Sequence, residues 1–200
     1  NARSHDTADM YIREAKNREE VWLLDRLEEF GFEDPAFRSR DYVVAIDEER
    51  GREVGFGRLR IHKPQETPIC ELTCIGVLPE WEEQGIGAHV VERLVEQARD
   101  QGITDVVSLT AEPEYCEQFG FSEAAVEDLE APLADRLDAV REWDPGAVPV
   151  NIRIEDFDVP PRLRRRFHGE VDEEEEPTER AEDFGIDPDS ATYKYDTGKR

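Results

Sequence analysis

Ile69–Gln101, ICELTCIGVLPEWEEQGIGAHVVERLVEQARDQ, is the stretch on which the fold turns. Ile69–Leu78 reads as a β-strand, followed by a short turn and a loop punctuated by Gly85 and Gly87. Gly87–Gln101 then reads as a helix: Val90, Val91, Leu94, Val95 and Ala98 form a broad apolar face, and Gly102 lies just past its end. A helix that opens on glycines presents unpaired backbone N–H groups and the positive end of its dipole. It can therefore hold phosphate without a basic side chain.

Upstream, Met10–Ala15 alternates as a first strand, and Asn17 caps a helix with Val21, Leu24, Leu27 and Phe30 at helical spacing and Gly31 as its stop. Pro35–Arg38 has room for one helical turn. Asp41–Asp47 and Glu53–His62 form a hairpin around a charged turn at Gly51, and Lys63–Pro68 turns the chain into the strand at Ile69. Downstream, Asp105–Thr110 is a short strand whose composition suits burial on both faces, and Pro113–Phe119 is a short helix closed by Gly120-Phe121. Ala131–Trp143 has Leu133, Leu137 and Val140 at helical spacing, Asp144-Pro145-Gly146 stops it, and Val148–Phe157 supplies a last alternating strand. Pro160–Arg166 carries four arginines and Glu170–Glu176 a run of acids; such blocks are expected to be solvated or disordered.

The chain has 200 residues, room for one domain with an appendage. Fifty acidic residues against 25 basic ones give a net charge of −25, and the only lysines are Lys16, Lys63, Lys194 and Lys199. Acids run from Asp6 to Asp196, so acidity covers the whole surface and is not confined to a tail. That excludes nucleic acid and anionic membranes as natural partners at low salt, and it matches proteins of salt-loving organisms, where molar salt screens self-repulsion. Cys70, Cys74 and Cys116 are too few and too irregular for a disulfide framework or a complete zinc site, so no metal is expected and the setting is read as reducing and cytoplasmic. No apolar run reaches a membrane span and no signal-peptide pattern opens the chain; Asn1-Ala2 reads as the remnant of a cleaved tag.

The order βα, βββ, α, β, α and the run Val77–Ala88, VLPEWEEQGIGA, together with Tyr115–Phe121, YCEQFGF, resemble the GCN5-related N-acetyltransferase (GNAT) family. The resemblance implies an α/β (α+β) fold with a mixed, mostly antiparallel central sheet of six to seven strands flanked by helices. Residues 1–157 would form the acetyltransferase domain, with 1–9 as a scar or arm and 131–143 as an inserted helix, and residues 158–200 a charged carboxyl-terminal extension. In the family the loop R/Q-x-x-G-x-G/A binds the pyrophosphate of acetyl-CoA, and the preceding strand pairs with the pantetheine arm. By resemblance, Val77 would serve pantetheine, and Gln84, Gly85, Gly87 and Ala88 the phosphates. The family's leading Arg or Gln falls here on Glu82, which leaves the grip to backbone donors, with Gln84 or Arg93 nearby to compensate.

The same resemblance implies acetyl transfer from acetyl-CoA, as co-substrate, to a primary amine by direct attack on the thioester. That chemistry needs a base for the amine and a proton source for the thiolate. Glu71 stands where histone-acetylating members carry a glutamate base, with Glu80 as second choice; at strand's start in an acidic chain it also suits a solvated role. The tyrosine that many members use as acid falls on Cys116, so Tyr115, Cys116 and water are all left as proton sources. His62 and His89 show no sequence-identifiable partner, although His89 opens the helix at the phosphate loop. Arg58 and Arg60 alternate on one strand face and suit a substrate carboxylate, or pairing with surface acids. The inserted helix after Leu129-Glu130-Ala131-Pro132-Leu133 resembles amino-acid acetylating members and favours a small-molecule amine, such as an amino acid. A peptide or protein acetyltransferase and a non-catalytic acyl-CoA-binding module are the alternatives. Family members often dimerise, so a homodimer is among the expected partners.

Overall fold

The computed structural model describes residues 10–63 and 67–167. Strands β1 (Met10–Glu14), β2 (Tyr42–Asp47), β3 (Arg52–His62), β4 (Ile69–Val77), β5 (Asp105–Thr110), β6 (Ser122–Glu123) and β7 (Val148–Arg153) build one sheet in the order β1-β2-β3-β4-β5-β7-β6. Every pairing is antiparallel except β4 with β5. Helices α1 (Glu20–Phe30), α2 (Ile86–Asp100), α3 (Pro113–Glu117), α4 (Ala131–Trp143) and α5 (Pro161–Phe167) flank it. This is the mixed, mostly antiparallel GNAT-like sheet that the element order implies. No described helix is long and apolar enough to cross a membrane.

The central strands are buried on both faces, so their side chains decide which helix lies where. On one face α2 places Val90 and Leu94 over Gly57, where an added Cβ would come within 2.7 Å of Val90 and 2.8 Å of Ile75. On the other face Phe30 of α1 lies over Gly76 and packs on Phe56, with ring centroids 5.4 Å apart. Helix α4 joins that face: Leu133, Leu137 and Val140 cover Ile69, Val107 and Leu109 in a second apolar cluster.

Four sequence expectations shift. Helix α1 buries Leu23, Leu27 and Phe30, while Val21 and Leu24 are 68% and 44% exposed, so its apolar stripe is rotated from the expected one. Its first turn is the 3-10 segment Asn17–Glu19, where Glu19, not Asn17, takes the capping role by accepting the Lys16 N–H at 2.8 Å. The last strand ends at Arg153 in the 3-10 turn Ile154–Asp156, and its outer edge gains the two-residue β6. The arginine block is no solvated coil: Pro161–Phe167 is helical, with Leu163 and Phe167 in the main core. The acidic run Glu170–Glu176 and the start of the chain lie outside the described residues.

Candidate functional site

Strands β4 and β5 pair only where Cys70, Glu71 and Leu72 face Val106, Val107 and Ser108. Ser108 Oγ donates to the Leu72 carbonyl at 3.3 Å, and beyond it the strands part. Cys74 sits at φ 54, a conformation few non-glycine residues adopt, beside a register shift between Phe56 and Arg58 on β3. The edge of β4 from Thr73 to Val77 is thereby turned away from β5, leaving backbone donors and acceptors for an extended partner.

The chain then passes through the 3-10 turn Pro79–Trp81 into a loop in which Glu83 (φ 65) and Gly85 (φ 76) are both left-handed. Gly85 is the N-cap of α2, so the positive end of the helix dipole and its first unpaired N–H groups lie at this loop. Gly87 and Ala88 lie buried in the first turn. Glu82 is half-buried and Gln84 stands beside the loop's turn. His89 Nδ1–H donates to the Gly85 carbonyl at 2.9 Å, which fixes its tautomer and stiffens the helix start. No partner for His89 is identifiable in the sequence, although the four-residue spacing of Gly85 and His89 permits this bond. Val77, the last residue of β4, is buried and paired with Gly55.

On the α1 and α4 face, Glu71 is 1% exposed and is not a solvated residue. Arg136, on α4, grips it with two donors, Nε to Oε1 at 3.0 Å and Nη2 to Oε2 at 3.1 Å. His62 Nε2 lies 3.0 Å from the same Oε1. Burial pushes the Glu71 carboxyl up, but the His62 hydrogen bond and the Arg136 charge outweigh it and hold the group below the usual carboxylate range. An ionised carboxylate only accepts, so the proton of this hydrogen bond sits on Nε2 of His62, which leaves Nδ1 on the other side of the ring. His62 thus has the partner that the sequence did not reveal: register places Ile69 opposite it and Glu71 two residues on.

The two arginines of β3 part company. Arg58, 4% exposed, donates to Asp34 at 2.6 Å, to Asp41 at 3.1 Å and to the Ala36 carbonyl at 2.9 Å. Burial lowers its pKa and the Asp34 charge more than restores it, so the guanidinium is a fixed tie between β3 and the segment before β2. Tyr42 donates to the same Asp34 at 2.6 Å. Arg60 has no such set: its Nη1 is buried without a hydrogen-bond partner among the described residues. Burial and then the neighbouring Arg136 charge lower its pKa, which is the signature of a cation short of an anion. Arg60 and His62 both line an open cavity of about 500 Å³ against Phe37 and Asp41.

Tyr115 and Cys116 lie within the short helix after β5, and both are buried. The Tyr115 ring meets Phe119 edge-on at 5.4 Å. Cys70 is buried too, and burial followed by the Glu71 charge pushes its thiol up to about 12, so it stays a neutral core side chain. Among the described residues no group of three or more His, Cys, Asp or Glu side chains is placed to hold a metal ion.

Comparison with known proteins agrees with this fold. N-acetylglutamate synthase from Neisseria gonorrhoeae, complexed with coenzyme A and N-acetyl-glutamate, is 20% identical with a TM-score of 0.59; the match covers 72% of this chain and 35% of the synthase. The chain thus spans about a third of that protein. Rv2747 from Mycobacterium tuberculosis, in complex with CoA and NLQ, is 21% identical at TM-score 0.58, over 72% of this chain and 98% of that one. An Arabidopsis thaliana protein in complex with the bisubstrate analogue CoA-Ac-MVNAL is 12% identical at TM-score 0.53, over 72% and 98%. These similarities establish the fold. The family described as acetyltransferase (GNAT) family matches residues 5–121, more than half of the sequence, and the chain belongs to that family.

Proposed function

We propose that the protein is an N-acetyltransferase that moves acetyl from acetyl-CoA to the primary amine of a small carboxylate-bearing metabolite, an amino acid being the simplest. The observation that carries this is the parting of β4 from β5 directly before the left-handed loop at Gly85. An extended pantetheine arm would pair with the freed edge ending at Val77, and the pyrophosphate would take the N–H groups of Gly85, Gly87 and Ala88, with Gln84 beside them. Glu82 contributes nothing attractive to that grip, so it is dominated by the backbone.

Arg60 is the residue we assign to the acceptor's carboxylate. Its guanidinium supplies a planar fork already placed at a cavity wall, and an incoming carboxylate would relieve its repulsion from Arg136. Arg58 stands behind it as part of the wall. The base is His62 with Glu71 as its orienting carboxylate: a Glu71 held ionised by Arg136 is a poor proton acceptor, whereas the imidazole, its Nε2–H donated to that carboxylate, offers Nδ1 to the amine proton. The amine nitrogen forms a bond to the acetyl carbon, the carbon–sulfur bond breaks, the amine proton goes to His62, and the thiolate is protonated by Tyr115 or by water.

Thiol release from acetyl-CoA, measured in molar KCl with a panel of amino acids, simple amines and short peptides, tests this reading. Release with amino acids, lost in His62→Gln, is the expected result. Release with peptides alone would favour the open-groove alternative, and no release with any amine, despite CoA binding, would mark a non-catalytic acyl-CoA-binding module.

A further inference from the structure

We propose that helix α5 is a strap laid across the cofactor cradle, so that acetyl-CoA binds only after Pro161–Phe167 has moved off the start of α2. Gly85 through Val90 are all buried, although these residues include the amides that a pyrophosphate must reach. Ile86 and Val90 owe their burial to β3, but what lies over Gly85 and the His89 ring is α5. A Cβ added at Gly85 would run into the Leu163 carbonyl oxygen, and the Phe167 nitrogen would lie 3.2 Å from it. Leu163 is fully buried, and the Phe167 ring stacks on His89 with centroids 3.8 Å apart and planes 11° from parallel. Two ties secure the strap on either side: Arg164 pairs with Glu92 of α2, and Arg162 Nη2 donates to Gln118, next to α3, at 2.8 Å. Backbone and apolar side chains make the contact on the loop, and Arg162 and Arg164 are engaged elsewhere, so α5 sits here as an occupant of the cradle.

The inference rests on the acetyl-CoA reading of the loop and adds a regulated step to it. When a site is closed in most molecules, its apparent dissociation constant is the intrinsic one divided by the open fraction. The test is hydrogen exchange of the full chain with and without CoA, together with CoA titration of wild type and of Leu163→Asp, which puts a charge under the strap. CoA should speed exchange of the amides of 161–167 while slowing those of 85–89, and Leu163→Asp should bind CoA roughly tenfold more tightly. If CoA binds while α5 exchanges no faster, or Leu163→Asp binds no better than wild type, the strap is overturned and the cofactor site stands. If neither protein binds CoA, both fall. Should Leu163→Asp fail to fold, the exchange measurement on wild type decides alone.

Discussion

Replacing Arg136 by Met would remove the charge opposite Glu71 while keeping most of the aliphatic stem that packs under α4. Glu71 is 1% and Arg136 8% exposed, and the two share paired hydrogen bonds of 3.0 and 3.1 Å, so the carboxylate has no water to fall back on. Removing one partner of such a buried pair costs about 3–5 kcal/mol, because the remaining charge is left uncompensated. With a urea slope of about 2–3 kcal/mol per molar, the unfolding midpoint should fall by roughly 1–2 M. Exchanging both partners, Glu71→Gln with Arg136→Met, should recover most of the loss, since neither variant side chain carries charge. The pH dependence has a definite sign. Glu71 is held below its unfolded value, so its contribution is fully present above the ordinary carboxylate range and is lost as pH falls through the folded value. In Arg136→Met burial is opposed only by His62, so the loss begins at higher pH. Urea unfolding at several pH values in constant salt measures all of this. A single variant that costs less than about 1 kcal/mol, or a double variant as unstable as the single, would refute the coupling.

Other expectations concern the neighbouring strands. Arg60→Met should raise KM for a carboxylate-bearing acceptor by about tenfold or more with little change in stability, whereas Arg58→Met should leave Asp34 buried and lower the unfolding midpoint. Gly57→Ala would press on Val90 and Ile75 and should cost about 1–3 kcal/mol, read as a fall in Tm. At Glu19, burial raises the carboxyl pKa, but hydrogen bonds from Arg13, from the neighbouring Glu53 carboxyl and from the Lys16 N–H bring it to about 2. Its contribution is therefore present above the usual carboxylate range and fades as pH drops toward that value, so Glu19→Gln should flatten the acid limb of the stability curve.

The stretch from Ile69 to Gln101 was legible because its information is local: a strand, two glycines and one apolar helix face, all within a few turns. Misread features depend on distant partners. Helix α1 carries two overlapping stripes that share Leu27 and Phe30, one adding Val21 and Leu24 and the other Leu23, and only the sheet beneath chooses the second. Glu71 looks the same in sequence whether solvated or buried, since Arg136, which settles its state, lies 65 residues away. His62 and Arg58 are likewise defined by groups brought in through the register of β3 and the segment before β2. The signal for α5 is present but masked: Val159, Leu163 and Phe167 recur every fourth residue, and the density of arginines among them hides the buried face.

A backbone-dominated cradle in a chain of net charge −25 carries a further consequence for cofactor binding. Phosphate sites built on Lys and Arg weaken as salt rises, because binding there neutralises charge and releases counterions. In the cradle proposed here the loop itself carries Glu82 and Glu83, the surrounding surface is acidic, and the attraction would come from short-range N–H groups and a helix end. Raising KCl from 0.1 to 1 M shrinks the screening length from about 10 to about 3 Å, which removes long-range repulsion of the polyanionic cofactor and leaves the contact hydrogen bonds nearly intact. Salt acts on the strap in the same direction: the Arg164–Glu92 tie has side chains 44% and 19% exposed, so screening weakens the closed state. Both effects predict that CoA binds several-fold more tightly in 1 M than in 0.1 M KCl, the reverse of a basic phosphate site. Isothermal titration across that range decides it. A dissociation constant that rises with salt would mean that cations, Arg162 or Arg164 among them, grip the phosphates after all, and would sink both the backbone-dominated cradle and the salt-loving character proposed for the chain.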